Sequence, residues 1–302
     1  MSPLSNDPSS SLAQKVYIVD RPGFEPRAEL LSSELNLSIL PLDQLRELSE
    51  GFSLIVDELG LSLQLLGKKA PGPVRCDFVG GSAKHRRLYG GGKGQDIAKA
   101  VGLNHRGFKP QVLDLTAGLG RDGFVLASLG ASVSMLERHP IVFVLLDDGL
   151  ARAREYVLDT DESENDTEAD IDSLAGILNR INCISQDAST YFQNLRVHLS
   201  VDDNCSDAVN PDVIYPDVIY IDPMFPAREK SGKVKKEMQL FHQLVGTDDD
   251  SSTLLPLALG VARYRVVVKR SVHAPFLADQ KPGYSLKGKS TRFDIYPIKK
   301  LP

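Results

Sequence analysis

The sequence predicts an α/β protein built around a mostly parallel sheet, and three observations carry that expectation. Short apolar runs of buried-strand type alternate with helical patterns from residue 111 onward. A glycine-rich turn, LDLTAGLGRDG at 113–123, overlaps and follows the first run. Asp114, Glu137, Asp187 and Asp222 fall at or just after the ends of four successive runs. In an open α/β sheet those ends converge on the crevice that binds ligands.

The elements follow in order. VLDL (112–115) is the first strand of this part, and an apolar segment at 124–129 comes after its turn. ASVSMLE (131–137) is the second strand, and Val142, Leu145, Leu146, Leu150 and Ala153 then repeat at helical spacing. INCI (181–184), VIYI (218–221) and VVVK (266–269) are further strands, joined by right-handed βαβ crossovers. YSLKG and RFDIYPI close the chain as an antiparallel hairpin. Upstream, VYIVD (16–20) reads as a strand, 25–35 as a helix, and 61–66 and 74–78 as short strands punctuated by Gly and Pro. The run FVGGSAKHRRLYGGGKG (78–94), with six glycines among basic residues, reads as a binding loop or connector. The expected organisation is a flexible 1–15, a smaller α+β segment at 16–107, and a main domain at 108–302 interrupted by loops at 159–172 and 200–215. The second loop ends in a repeat, PDVIY (211–215) then PDVIY (216–220), and only the second copy leads into IDPMF, so it is assigned the strand.

Composition narrows the class. Of 302 residues, 42% are hydrophobic and 25% charged, which excludes wholesale disorder. The longest apolar run, 141–146, is far short of the ~18 residues of a membrane span. The N-terminus has neither a basic start nor an apolar core, so it does not read as a secretory signal. Three cysteines with no CxxC pair argue against a disulfide scaffold or a zinc site. A reduced, cytoplasmic, metal-free soluble protein is expected. The net charge of −5 hides an uneven spread, because 159–172 hold eight acidic and no basic side chains. Basic residues cluster elsewhere, and local patches set the field that a ligand feels.

Gly118, Gly120 and Gly123 satisfy GxGxxG after a strand ending in Asp114, and Glu137 closes the next strand. That pattern lets a backbone approach a nucleotide and puts an acid on its ribose. It fits a nicotinamide dinucleotide and S-adenosylmethionine equally. Asp187 also suits an N-cap for the helix after it. The fourth strand ends in Asp222-Pro223-Met224-Phe225-Pro226, which resembles the (Asp/Asn)-Pro-Pro-(Tyr/Phe) motif of methyltransferases acting on exocyclic base amines. A rigid proline turn offers a carboxylate and a carbonyl to an NH₂ group, while Phe225 stacks on an extruded base. An NAD(P) oxidoreductase has no use for such a motif, which favours methyl transfer.

DFVGG, SAKHRR, YGGGKG, DLTAGLGRD, LERHP, LLDDGLAR, DPMFP, VKKEM, VVVKR and RFDIY occur in this order between residues 77 and 296. Together they resemble the RsmJ family of bacterial methyltransferases, which modify N2 of a guanosine in 16S ribosomal RNA. The resemblance implies a Rossmann-like class I S-adenosylmethionine-dependent fold in the main domain. It implies cofactor contacts at Arg121 and Asp122, at Glu137 and Arg138, at Asp187 and Ala188, and at Asp222. It also implies 16S rRNA or the small ribosomal subunit as partner. Lys84, Arg86, Arg87, Lys233, Lys235 and Lys236 become candidates for RNA phosphates, and the 16–107 segment a candidate RNA-contacting part. Other readings are an adenine-N6 or other nucleic-acid amine methyltransferase, an NAD(P)-dependent oxidoreductase, and a non-catalytic RNA-binding assembly factor.

Overall fold

A computed structural model describes residues 16–68, 70–81, 92–160, 173–202, 216–223, 236–246 and 251–302. The chain divides into two compact units. One gathers Met1–Cys76, Val144–Arg152 and Pro226–Thr247, and the other gathers Asp77–Phe143, Ala153–Phe225 and Asp248–Pro302.

The first unit is built on four strands, β1 (Val16–Asp20), β2 (Ile39–Pro41), β3 (Phe52–Asp57) and β4 (Gly60–Leu65), in the order β2-β1-β3-β4. β1 pairs in parallel with β2 and β3, while β3 and β4 form an antiparallel hairpin. Helix α1 (Glu25–Leu35) has a proline in its first turn, where a missing N–H costs nothing, and ends on Asn36 in the left-handed conformation. Helix α2 (Leu42–Glu47) follows β2. Ile18, Leu31, Leu54 and Leu63 are fully buried.

The strand expected at 74–78 does not form. Val74 makes only an isolated bridge to Leu63. The next ladder positions are taken by side chains: the Leu61 N–H donates to Asp148 Oδ2 at 3.0 Å, and the Cys76 carbonyl accepts from Arg152. Polar side chains have satisfied the backbone groups that a longer strand would have paired. β2, β3 and α2 carry no alternation strong enough to have been anticipated.

The second unit holds a seven-stranded sheet. Its strands are β5 (Gln111–Asp114), β6 (Ser132–Glu137), β7 (Ile181–Ser185), β8 (Val218–Ile221), β9 (Arg265–Ser271), β10 (Tyr284–Lys287) and β11 (Thr291–Pro297), in the order β10-β11-β9-β8-β5-β6-β7. β5 to β9 run parallel, and β11 enters antiparallel between β9 and β10. The closing hairpin is thus as expected, and so is the second PDVIY copy as a strand. The first copy, the acidic segment 161–172 and the N-terminal 1–15 lie outside the described residues.

All four residues of β8, and Val266, Val267 and Val268 of β9, are buried, because helices cover both faces. That is why these strands read as unbroken apolar runs. The connections are α3 (Asp96–Val101), α4 (Arg121–Ser128), α5 (Pro140–Asp159), α6 (Leu174–Leu178), α7 (Ala188–Asp202), α8 (Lys236–Val245) and α9 (Ser251–Leu259), with α8 and the middle turns of α5 belonging to the first unit. The five apolar residues picked out by spacing in α5 are all buried. The inner faces of β5, β8 and β9 share one core with Phe192 and Leu195 of α7 and Leu255 and Ala258 of α9. No described helix is long and apolar enough to cross a membrane.

Candidate active site

The carboxyl ends of β5, β6 and β8 carry the acids that spacing had singled out. Between β5 and α4 the chain turns on Gly118 (φ 55°) and Gly120 (φ 68°), both in the left-handed region that glycine enters freely. A methyl group on Gly118 would meet nothing within 4 Å among the described residues, so none of these crowds the face where a ligand would lie. Gly123 does different work: a methyl there would run into Met135 of β6, so the third glycine lets α4 close onto the sheet.

Glu137, at the end of β6, is buried and its carboxylate is already engaged. Oε2 accepts from the Gly118 N–H at 2.9 Å and Oε1 from the His139 N–H at 2.8 Å. A carboxylate has about four lone-pair sites, so each of its oxygens can serve more than one donor. His139 is held neutral, lowered to about 4 by burial and by the neighbouring Arg138.

Asp114 is almost wholly buried and accepts from the Thr116 N–H at 3.0 Å. Desolvation, reinforced by Asp122 and Asp222, pushes its pKa up to about 8, so it is mostly protonated at neutral pH. Thr116 also receives the Asp222 N–H on its hydroxyl oxygen at 2.7 Å, tying the end of β8 to that of β5. Asp222 and Pro223 follow β8 directly. From β9, Lys269 donates to Asp122 Oδ2 at 2.6 Å and to Asp222 Oδ2 at 2.7 Å, and Tyr220 donates to the same Asp122 oxygen at 2.7 Å. Burial raises the Asp222 carboxyl to about 6, against the pull of Lys269. Lys269 itself is raised above the usual lysine value by its two carboxylates, which outweigh its desolvation.

Hydrogen bonds run from Asp114 through Thr116, Asp222 and Lys269 to Asp122, and Gly118 and Glu137 form a second bonded pair at the end of the neighbouring strand. Arg121 opens α4, and Arg138 follows Glu137; both are exposed. Asp187 acts as the expected cap: its Oδ1 accepts from the Ser189 and Thr190 N–H groups, and Ala188 is buried beneath. Phe225, Lys84, Arg86, Arg87, Lys233 and Lys235 lie outside the described residues, and Lys236 is the first residue of α8. Thr116, Tyr220 and Lys269 were not singled out from sequence. The signal for Lys269 was available in hindsight, as a lysine closing a run of buried valines.

A parallel sheet with an antiparallel strand inserted next to its last parallel one, a glycine turn after the first strand and an acid after the second define a class I S-adenosylmethionine-dependent methyltransferase. The open face over Gly118 and the preset acceptors of Glu137 fit that cofactor. A family model described as "Putative SAM-dependent methyltransferase" matches residues 39–166 and 174–298. The "Ribosomal RNA small subunit methyltransferase J" of Cellvibrio japonicus is 50% identical over 92% of this chain and 96% of its own length. That of Pseudomonas fluorescens strain SBW25 is 46% identical over 99% of both. A solved SAM-dependent methyltransferase of Neisseria gonorrhoeae is 35% identical, with a TM-score of 0.60 over 93% of this chain and 95% of its own. The chain belongs to the ribosomal RNA small subunit methyltransferase J family, as the motif resemblance implied.

Proposed function

We propose that this protein transfers the methyl group of S-adenosylmethionine to the exocyclic N2 of a guanosine in 16S rRNA, in the cytoplasm. The observation that supports this most is the Asp122–Lys269–Asp222 bridge. It links the acid of the DPMFP motif to the first turn after the glycine loop. An oxidoreductase gives that link no purpose.

When bound, S-adenosylmethionine supplies an electrophilic methyl on its sulfonium. Gly118 and Gly120 would admit its approach, and Glu137 would accept from its ribose hydroxyls, with Arg121, Asp122, Arg138, Asp187 and Ala188 holding its borders. Asp222 and the following carbonyl receive the guanine NH₂, and Phe225 stacks on the base. An amine so held would have its lone pair aimed at that methyl, and the electrons of the C–S bond would stay on sulfur. Asp222, ionised at neutral pH because its pKa is about 6, takes the proton that the amine sheds. Positioning supplies most of the rate. The basic clusters at 84–87 and 233–236, with the 16–107 segment, hold RNA phosphates.

Mass mapping of small-subunit rRNA from cells lacking the gene tests this reading. One guanosine fragment should lose a methyl group and regain it when the gene is restored. Transfer by the purified protein to naked 16S RNA, assembled subunits and duplex DNA distinguishes the substrates. Unaltered rRNA in the deletion strain would leave the reading without support.

A further inference from the structure

We propose that Lys269 is a positioning residue for methyl transfer: its ammonium, bridging Asp122 and Asp222, holds the amine-accepting carboxylate in register with the cofactor turn. This deepens the function proposed above and rests on Asp222 receiving the base amine. Lys269 follows three fully buried valines in β9. An ammonium so placed loses much of its hydration and is tolerable only when paired. Here one nitrogen meets two carboxylates from different elements, and no other described residue hydrogen-bonds both.

Geometry makes the bridge a constraint and not only a charge pair. The Asp222 amide is fixed by Thr116 Oγ1, and Oδ2 is fixed by Lys269. Among the described residues nothing else hydrogen-bonds the carboxylate, so Oδ1 is the oxygen left to accept an NH₂. The other end is equally fixed, because Asp122 Oδ2 also receives the Tyr220 hydroxyl. The groups facing Asp222 are Asp114 on β5, Asp122 on α4, Tyr220 on its own strand, and Lys269 and Arg270 on β9. Lys269 is thus bonded to two of the three acids, with Asp114 close by. Without it, mutual repulsion would favour protonation of Asp222 and free its side chain to turn.

The test uses the full chain with ¹³C-labelled aspartate. It follows the Asp222 carboxyl by NMR, S-adenosylhomocysteine affinity by calorimetry, and single-turnover transfer to small subunits. In Lys269→Met the Asp222 midpoint should rise by about 1–3 pH units. Transfer at pH 7 should slow on the order of 10²-fold, and the rising limb of its pH profile should move upward with the midpoint. S-adenosylhomocysteine affinity should stay within a few-fold. Lys269→Arg, which keeps the charge, should restore the midpoint. Lys269→Gln repeats the measurement if the methionine variant does not fold. If neither folds, Lys269→Arg decides, and a midpoint displaced by more than a unit there overturns the proposal. An unchanged midpoint in a folded neutral variant also overturns it, as does a loss of cofactor binding as large as the loss of transfer. Absence of transfer by the wild-type protein would sink the function above while leaving the midpoint comparison readable.

Discussion

Strands β11 and β9 carry two ionic groups, the one buried and the other half-buried, that differ in what they leave over. In the first, Arg292 spends its guanidinium on the chain itself. It donates to both oxygens of Asp294 at 2.9 and 3.0 Å, and to the carbonyls of Val272 and Ala274 at 2.8 and 2.7 Å, while Ser285 closes on Asp294 at 2.6 Å. Phe276 lies against its face at 4.9 Å. One cation meets one anion, and both are buried. In the second, Lys269 serves two carboxylates with a third, Asp114, close by, and two of those acids are pushed far above the ordinary aspartate range. A structural ion pair is satisfied within the fold. A working one leaves charge and lone pairs for something still to arrive.

The sharpest way to break the first group is Arg292→Ala. Leaving Asp294 buried without its partner should cost about 3–5 kcal/mol, measured by urea unfolding. Turnover per folded molecule should change little. In the second group the pattern should invert. Asp222→Ala should lower turnover by about 10²–10³-fold, or about 3–4 kcal/mol of transition-state stabilisation, with a melting temperature close to that of the wild type. Unchanged turnover would remove Asp222 from the mechanism.

Asp114 makes the contrast visible as a pH dependence. Its folded pKa of about 8 lies above the ordinary 3.8, so the folded state binds the proton more tightly and stability falls as pH rises toward 8. His139 works in the opposite sense, but only between about 4 and 6.5, where the unfolded chain takes up the proton that burial denies it. Between pH 6.5 and 8 the acid acts without that opposition, and about 1–2 kcal/mol should be lost. Asp114→Asn should flatten that decline in a calorimetric series. The smallest effect is expected at Glu137: Glu137→Gln keeps one acceptor oxygen and should weaken S-adenosylhomocysteine binding about tenfold, or about 1.4 kcal/mol.

Much of the second unit was legible because its signals are local. VIYI occupies β8 residue for residue, Asp187 caps α7, and each glycine of the turn has its own geometric reason. The ionic bridge was not legible. Lys269 meets acids 47 and 147 positions away, and no periodicity encodes such a meeting. The missing strand at 74–78 has the same origin, since Leu61 takes its acceptor from Asp148, 87 residues on. Local pattern proposes a ladder, and a distant side chain can occupy its rungs.

The double grip of Glu137 on the Gly118 and His139 amides has a consequence for analogue tolerance. Under the proposed reading, its oxygens are already oriented by those two amides, and the corner has little slack to reshape itself. A 2′-deoxy or 3′-deoxy analogue of the methyl donor would leave a desolvated acceptor facing carbon, with no relaxation to offset it. Such analogues should be rejected far more strongly than ones altered on the adenine ring.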